Sequence, residues 1–228
     1  MFCCNFLSDE KINEVINKTE NFLKENLGVS PLNINVKKLK VMSDLGMCRK
    51  DKNVIYLNET KGLTPITVIH EVLHCHQHSA WDGQKIVEGL VEFLASYIVS
   101  MLFPNLSRCL FKDRRAFCFV NSIYPYLYSF WATLFVYLCH LELELSEDAM
   151  KSCINKLFDI LLKNEIDSRI SQIVSTAKDR LNKGNDMVIK AYMSELKPLF
   201  LVYKEIFNGE INPFDIDELK MLISFLDK

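Results

Sequence analysis

The chain has 228 residues, of which 49% are hydrophobic and 25% charged, a composition typical of a folded globular protein and not of a disordered one. Lys and Arg number 27 against 29 Asp and Glu, so the net charge is −2. The sequence therefore lacks the basic excess of nucleic-acid-binding domains, and we expect no nucleic-acid partner.

A first helix is predicted over residues 8–27, where apolar side chains recur at helical spacing. Either Ser8 or Asp9 can cap its N-terminus, because both side chains accept hydrogen bonds from the free backbone N–H groups of a first turn. Gly28 marks its end, since glycine readily adopts the left-handed conformation that stops a helix.

A hairpin or small sheet is predicted next. Residues 32–42 alternate between apolar and polar side chains, and residues 53–58 (NVIYLN) form a short β-rich run. A turn around Asp44–Gly46 and the charged stretch Arg49–Asn53 separate these two predicted strands.

Two helices are predicted after the sheet. Thr64 and Pro65 open the first, since Thr is a good N-cap and Pro is tolerated at the first helical position. This helix covers residues 65–79, and a second one covers residues 84–103 and is halted by Pro104.

From residue 116 onward the pattern is helical, with helices expected, for example, at 147–163 and 187–207. Residues 116–141 contain no Asp, Glu, Lys or Arg, and about 20 apolar residues suffice to span a bilayer. Because this segment also contains several polar residues and Pro125, we interpret it as a buried core helix preceded by a loop.

The eight cysteines are predicted to be thiols, most of them buried in apolar runs. There is no C-x-x-C pair, which argues against a cysteine zinc ribbon, and the first ten residues lack the basic start of a signal peptide. We therefore expect a reducing, cytoplasmic location, with Cys75 as a small buried residue.

Residues 70–74 read HEVLH, an HExxH motif within a predicted helix. His70 and His74 are four residues apart and so lie on one helix face, where both imidazoles can reach one Zn²⁺. Glu71 lies about 100° around the helix, close enough to meet a metal-bound water. Zinc lowers the pKa of such a water to about 7, and Glu71 is predicted to act as the general base.

A catalytic zinc site needs a third protein ligand and one open position. A histidine six residues after His74 would complete the metzincin pattern, but Ala80 occupies that position and Gln77 replaces the expected glycine. His78 lies on the same face, but two turns, or about 12 Å, beyond the first histidine of the motif. One ion could not easily accept all three histidines.

Glu88 is the remaining candidate for the third ligand. It lies in the next predicted helix, which the intervening Ser79–Gly83 turn allows to fold back against the first. Gly89 follows it and permits close backbone approach. The surrounding stretch (IVEGLVEFLASYIVS) is otherwise apolar, where a carboxylate is costly unless it is paired or binds a metal. Ligands of one zinc should have donor atoms roughly 3–3.5 Å apart.

The pairing of HEVLH with the downstream VEGLVEF resembles the gluzincin metallopeptidases, the thermolysin and aminopeptidase group. The resemblance covers roughly residues 32–140. It implies that Glu88 is the third zinc ligand and that Glu92, one turn later, is the acid that orients a ligand histidine.

The same resemblance implies two further features. Gluzincins have a sheet before the active-site helix, with an edge strand that pairs with extended substrate, a role that falls on residues 53–58. They also have a helix led by a tyrosine that donates to the oxyanion of the tetrahedral intermediate. That tyrosine corresponds to Tyr128, with Tyr126 and Tyr124 as alternatives.

The sequence thus predicts an α+β, mainly α fold. The resemblance implies a zincin-like metallopeptidase domain over residues 1–140, with a small N-terminal sheet and an active-site helix, and a helical C-terminal subdomain over 141–228 packed on it. The expected function is zinc-dependent hydrolysis of peptide or protein substrates, with one Zn²⁺ per chain. The C-terminal helices could bind a protein partner.

Two other functions stay open at this point. The first is a catalytically inactive zincin-like binding or regulatory module. The second is a membrane-embedded metalloprotease, which the charge-free segment 116–141 would favour.

Overall fold

The computed structural model describes residues 7–104, 124–183, 186–196, 201–202, 205 and 211–227. Within these residues the protein has eight α-helices and one three-stranded sheet, which confirms the predicted α+β, mainly α fold. Residues 116–123, the first part of the charge-free segment, lie outside the described residues.

The first helix, α1 (Asp9–Leu27), begins and ends as its sequence predicts. The Ser8 side chain accepts from the backbone N–H of Lys11, so Ser8 and not Asp9 is the N-cap. Gly28 ends the helix in the left-handed conformation, with φ of 66°. One apolar stripe of α1 is buried, formed by Ile12, Val15, Ile16 and Leu23.

The sheet contains β1 (Asn35–Leu39), β2 (Gly46–Arg49) and β3 (Val54–Asn58), in the order β1-β3-β2. β3 pairs parallel with β1 and antiparallel with β2. The predicted sheet is present, but two details were wrong. No strand was predicted at β2, and the predicted edge strand at residues 53–58 is β3, the central strand of the sheet.

The two helices that carry the motif residues follow the sheet. α2 (Pro65–His76) starts after Thr64, whose hydroxyl accepts from the backbone N–H of Thr67. A short 3₁₀ turn at Ser79–Trp81 leads to α3 (Lys85–Leu102). Both helices lie where the capping and proline signals predict them.

The remaining described elements are all helical. They are α4 (Tyr124–His140), α5 (Glu147–Lys163), α6 (Ser171–Lys183), α7 (Asp186–Glu195) and α8 (Ile216–Ile223). α5 coincides with the helix predicted at 147–163, whereas most of the predicted 187–207 helix beyond α7 lies outside the described residues. None of the described helices combines the length and apolarity that crossing a bilayer requires.

The chain divides into two compact units. One contains the chain up to Gln77 together with the segment that starts at Ala95. Its core includes residues of α1, β3 and α2, namely Leu23, Ile55, Leu57, Ile69 and Leu73. The predicted domain boundary at residue 140 stays a prediction.

The second unit contains His78–Leu94 and the described residues from Tyr124 onward. Two fully buried tryptophans, Trp81 and Trp131, lie in its core. The indole N–H of Trp81 donates to the Ile160 carbonyl at 2.7 Å, and that of Trp131 donates to the Ile86 carbonyl at 2.8 Å. Since both indole donors are bonded, these large side chains are buried without an unsatisfied N–H.

Candidate metal site

α2 brings the two motif histidines together on one face, as their spacing predicts. The Nε2 atoms of His70 and His74 are 3.0 Å apart, and their ring planes meet at 65°. Two nitrogens bound tetrahedrally to one zinc at the usual bond length are about 3.3 Å apart. The pair is therefore close to the separation that a shared cation requires.

Glu88 of α3 completes the group. One ligand atom from each of His70, His74 and Glu88 lies within 4.8 Å of the other two, with His70 buried and the other two residues half-buried. Among the described residues this is the one such cluster of His, Cys, Asp or Glu. These three residues form a group that could hold a metal ion. His78 is outside it: its side chain is exposed, and its Nδ1 accepts from the Ala80 N–H.

Gly89, next to Glu88, lies against the backbone of α4. A Cβ built at Gly89 would be 2.7 Å from the Leu127 Cβ, closer than real side chains approach. Glycine at this position therefore allows the close approach that its place in the sequence suggests.

Tyr128, the predicted oxyanion donor, belongs to the same part of α4. Its ring packs edge-on against Phe93 of α3, with centroids 5.7 Å apart. Tyr128 and Tyr126 are both half-buried, whereas the side chain of Tyr124 lies outside the described part of the chain. The role of Tyr128 stays a prediction.

Glu71, the predicted general base, is only 5% exposed. Its carboxylate lies against the backbone of β2 at Gly46, where an added Cβ would be 2.6 Å from the Glu71 Cδ. Only glycine at position 46 leaves room for this carboxylate. Sequence reasoning missed Gly46, which it assigned to a turn.

Gln77 is a second residue that sequence reasoning missed. Its side-chain oxygen lies 2.8 Å from Nδ1 of His74, on the side of the ring opposite the atom that faces His70. Gln77 is also the C-cap of α2, and its backbone N–H donates to the Leu73 carbonyl. The signal in the sequence was a hydrogen-bonding side chain three residues after a candidate ligand.

Glu92, predicted to orient a ligand histidine, is 3% exposed on α3. Glu92 is therefore not a solvated surface acid. A carboxylate buried to this extent requires polar partners. Whether it orients a histidine stays a prediction.

Two of the four described cysteines differ from their prediction as thiols. Cys48 of β2 and Cys75 of α2 form a disulfide, with Cα atoms 5.8 Å apart. Cys139 and Cys153 are free and buried, whereas the other four cysteines, Cys3, Cys4, Cys109 and Cys118, lie outside the described residues. A reducing location was expected because the cysteines were predicted to be thiols. This disulfide means that the cysteines no longer support that expectation.

His76, the last residue of α2, is paired with an acid of α1. Its side chain is 4% exposed, and its Nε2 lies 2.9 Å from a carboxylate oxygen of Glu20. The Glu20 carboxylate also accepts from the backbone N–H of Leu32. His76 therefore connects α2 to α1 in the interior of the protein.

The chain matches none of the protein-family models, curated proteins or solved structures with which it was compared. The gluzincin resemblance thus depends on the HEVLH and VEGLVEF segments alone, and the structure adds a group of His70, His74 and Glu88 that could hold a metal ion.

Proposed function

We propose that the protein is a zinc metallopeptidase of gluzincin type, which hydrolyses peptide bonds in peptides or proteins. The observation that supports this best is the convergence of His70, His74 and Glu88, whose ligand atoms lie within 4.8 Å. The acid Glu71 follows the first of these ligands on the same helix.

The donor set fits zinc. Two imidazole nitrogens and one carboxylate are the ligand set of many zinc hydrolases, and they leave one coordination position open. A zinc ion held by these residues supplies a Lewis acid that brings the pKa of a water molecule to about 7. This one group among the described residues would hold one ion.

Glu71 performs the proton transfers in this proposal. It takes the proton of the water that attacks the peptide carbonyl and delivers it to the leaving amine. Its burial and its position against Gly46 favour this role, because a base whose surroundings fix its orientation needs little reorganisation during the reaction. The Tyr128 hydroxyl is the proposed donor to the oxyanion.

The substrate-binding edge is assigned to β2 in place of residues 53–58. β2 is an outer strand of the described sheet and contacts Glu71 through Gly46. An extended peptide can add to such an edge through backbone hydrogen bonds. A scissile bond paired there would lie beside the proposed general base.

The decisive test is the substitution Glu71→Gln, which keeps the size of the side chain but removes the base. We expect hydrolysis of an unfolded protein substrate to be lost, while the zinc content stays near one per chain. Glu25→Gln, at an exposed position of α1, is the matched control and should retain full activity.

Two results would overturn the proposal. One is full activity of Glu71→Gln. The other is a wild-type protein that neither contains zinc nor takes it up when it is supplied.

A further inference from the structure

We infer that Gln77 is a positioning residue for the metal site, which fixes the proton of His74 on Nδ1 so that Nε2 is available to a cation. This inference rests on the proposed function, since it concerns the same site. It assigns a role to a residue that lies outside the HExxH motif and outside the ligand set.

The hydrogen bond between Gln77 and His74 defines the tautomer. An amide oxygen can only accept, so at 2.8 Å from Oε1 the Nδ1 atom of His74 must carry a proton. In the neutral ring the lone pair is then on Nε2, the atom that faces His70. This is the protonation pattern that a metal-binding histidine needs.

The place of Gln77 in the fold favours this contact. As the C-cap of α2 its backbone is held by the hydrogen bond to Leu73, 2.9 Å long. The residue is only 9% exposed, so water competes little for its side-chain oxygen. A hydrogen bond in such surroundings is stronger than one at the surface.

The contact between the two histidines follows from the same tautomer. Since Nε2 of His74 carries no proton, His70 must supply the proton in the 3.0 Å contact between the two Nε2 atoms. A cation held by both Nε2 atoms would take the place of that proton, which would move to Nδ1 of His70 or be released to water. Gln77 therefore keeps the His74 ring turned toward the cation position before any ion arrives.

The test uses two variants of Gln77 and one control. Gln77→Met has a similar length but no acceptor, whereas Gln77→Glu keeps an oxygen at the same place. The control is His78→Asn, an exposed position just beyond α2. Two quantities are measured: the dissociation constant for Zn²⁺ alone, by competition with a chelator, and the His74 tautomer in the metal-free protein, by ¹⁵N imidazole NMR.

We expect His74 to carry its proton on Nδ1 in the wild type and in Gln77→Glu, and to lose this preference in Gln77→Met. Zinc affinity should fall 10–100-fold in Gln77→Met, the range that is typical for loss of a residue that orients a ligand. Gln77→Glu should restore it, and the control should bind zinc as the wild type does.

The outcomes separate this inference from the proposed function. A proton on Nε2 of His74 in the wild type, or wild-type zinc affinity in a folded Gln77→Met protein, would overturn the role of Gln77 and leave the peptidase proposal standing. Zinc binding that depends on Gln77, without peptide hydrolysis, would overturn the peptidase proposal and support the role of Gln77.

Discussion

The contact between Glu71 and Gly46 joins the proposed general base to a residue 25 positions earlier in the chain. The carboxylate of Glu71 lies where the side chain of any other residue at position 46 would be. Because Gly46 belongs to β2, the orientation of the base and the position of this strand depend on each other.

A methyl group at position 46 should therefore displace Glu71 without touching the metal ligands. We expect Gly46→Ala to lower kcat by about 100-fold, the effect that a shift of about 1 Å can have on a reacting group. Zinc affinity should change little. Steady-state kinetics and a zinc titration check both expectations, with Lys52→Ala, an exposed position in the turn before β3, as the control. Unchanged kcat in a folded Gly46→Ala protein would show that Glu71 does not need this space.

The positions of some residues of the site could be predicted from the sequence, and those of others could not. The histidine pair follows from helical periodicity alone, and the apolar surroundings of Glu88 identified it as an acid in need of a partner. The contacts of Gly46 and Gln77 could not be predicted. The first depends on the packing of a strand on a helix, and the second on the rotamer of a side chain at a helix end.

Among the elements, helices with local signals were predicted well. α1 and α2 have capping residues and a proline or glycine at the expected ends, so neighbouring residues in the sequence define them. β2 has only four residues and depends on pairing with β3. Strand order likewise depends on partners distant in the sequence, which explains why β3 was mistaken for an edge.

The disulfide between Cys48 and Cys75 connects two of these elements, β2 and α2. It closes a loop between residues separated by 27 positions, and in the chain-entropy account a loop of this length stabilises a protein by about 3.5 kcal/mol. We expect the double substitution Cys48→Ser and Cys75→Ser to lower the free energy of unfolding by up to that amount, as measured by urea denaturation.

Reduction provides the control for this prediction. A dithiol reductant should destabilise the wild-type protein, because the disulfide takes up two electrons and becomes two thiols. The reductant should have no effect on the double variant. If both Cys48 and Cys75 react with an alkylating reagent in the unreduced, denatured protein, no disulfide is present and the prediction is wrong.

For the whole molecule, the metal site depends on the folded chain. Its ligands come from α2 and α3, and Glu88 is brought to the histidine pair only when both helices are in place. A cation that binds this arrangement and not the unfolded chain stabilises the protein by mass action. Stability therefore reports on all three ligands together.

Zinc should accordingly raise the melting temperature of the wild-type protein. At a free concentration 100 times Kd the gain is about 2.7 kcal/mol, or roughly 5–10 °C for a chain of this size. Glu88→Gln should lose most of this shift, since an amide oxygen is a poorer ligand than a carboxylate, whereas Glu25→Gln should keep it. Thermal unfolding with and without zinc, followed by circular dichroism, measures the difference. An equal shift in Glu88→Gln would mean that zinc binds without the carboxylate, and the assignment of Glu88 as third ligand would have to be abandoned.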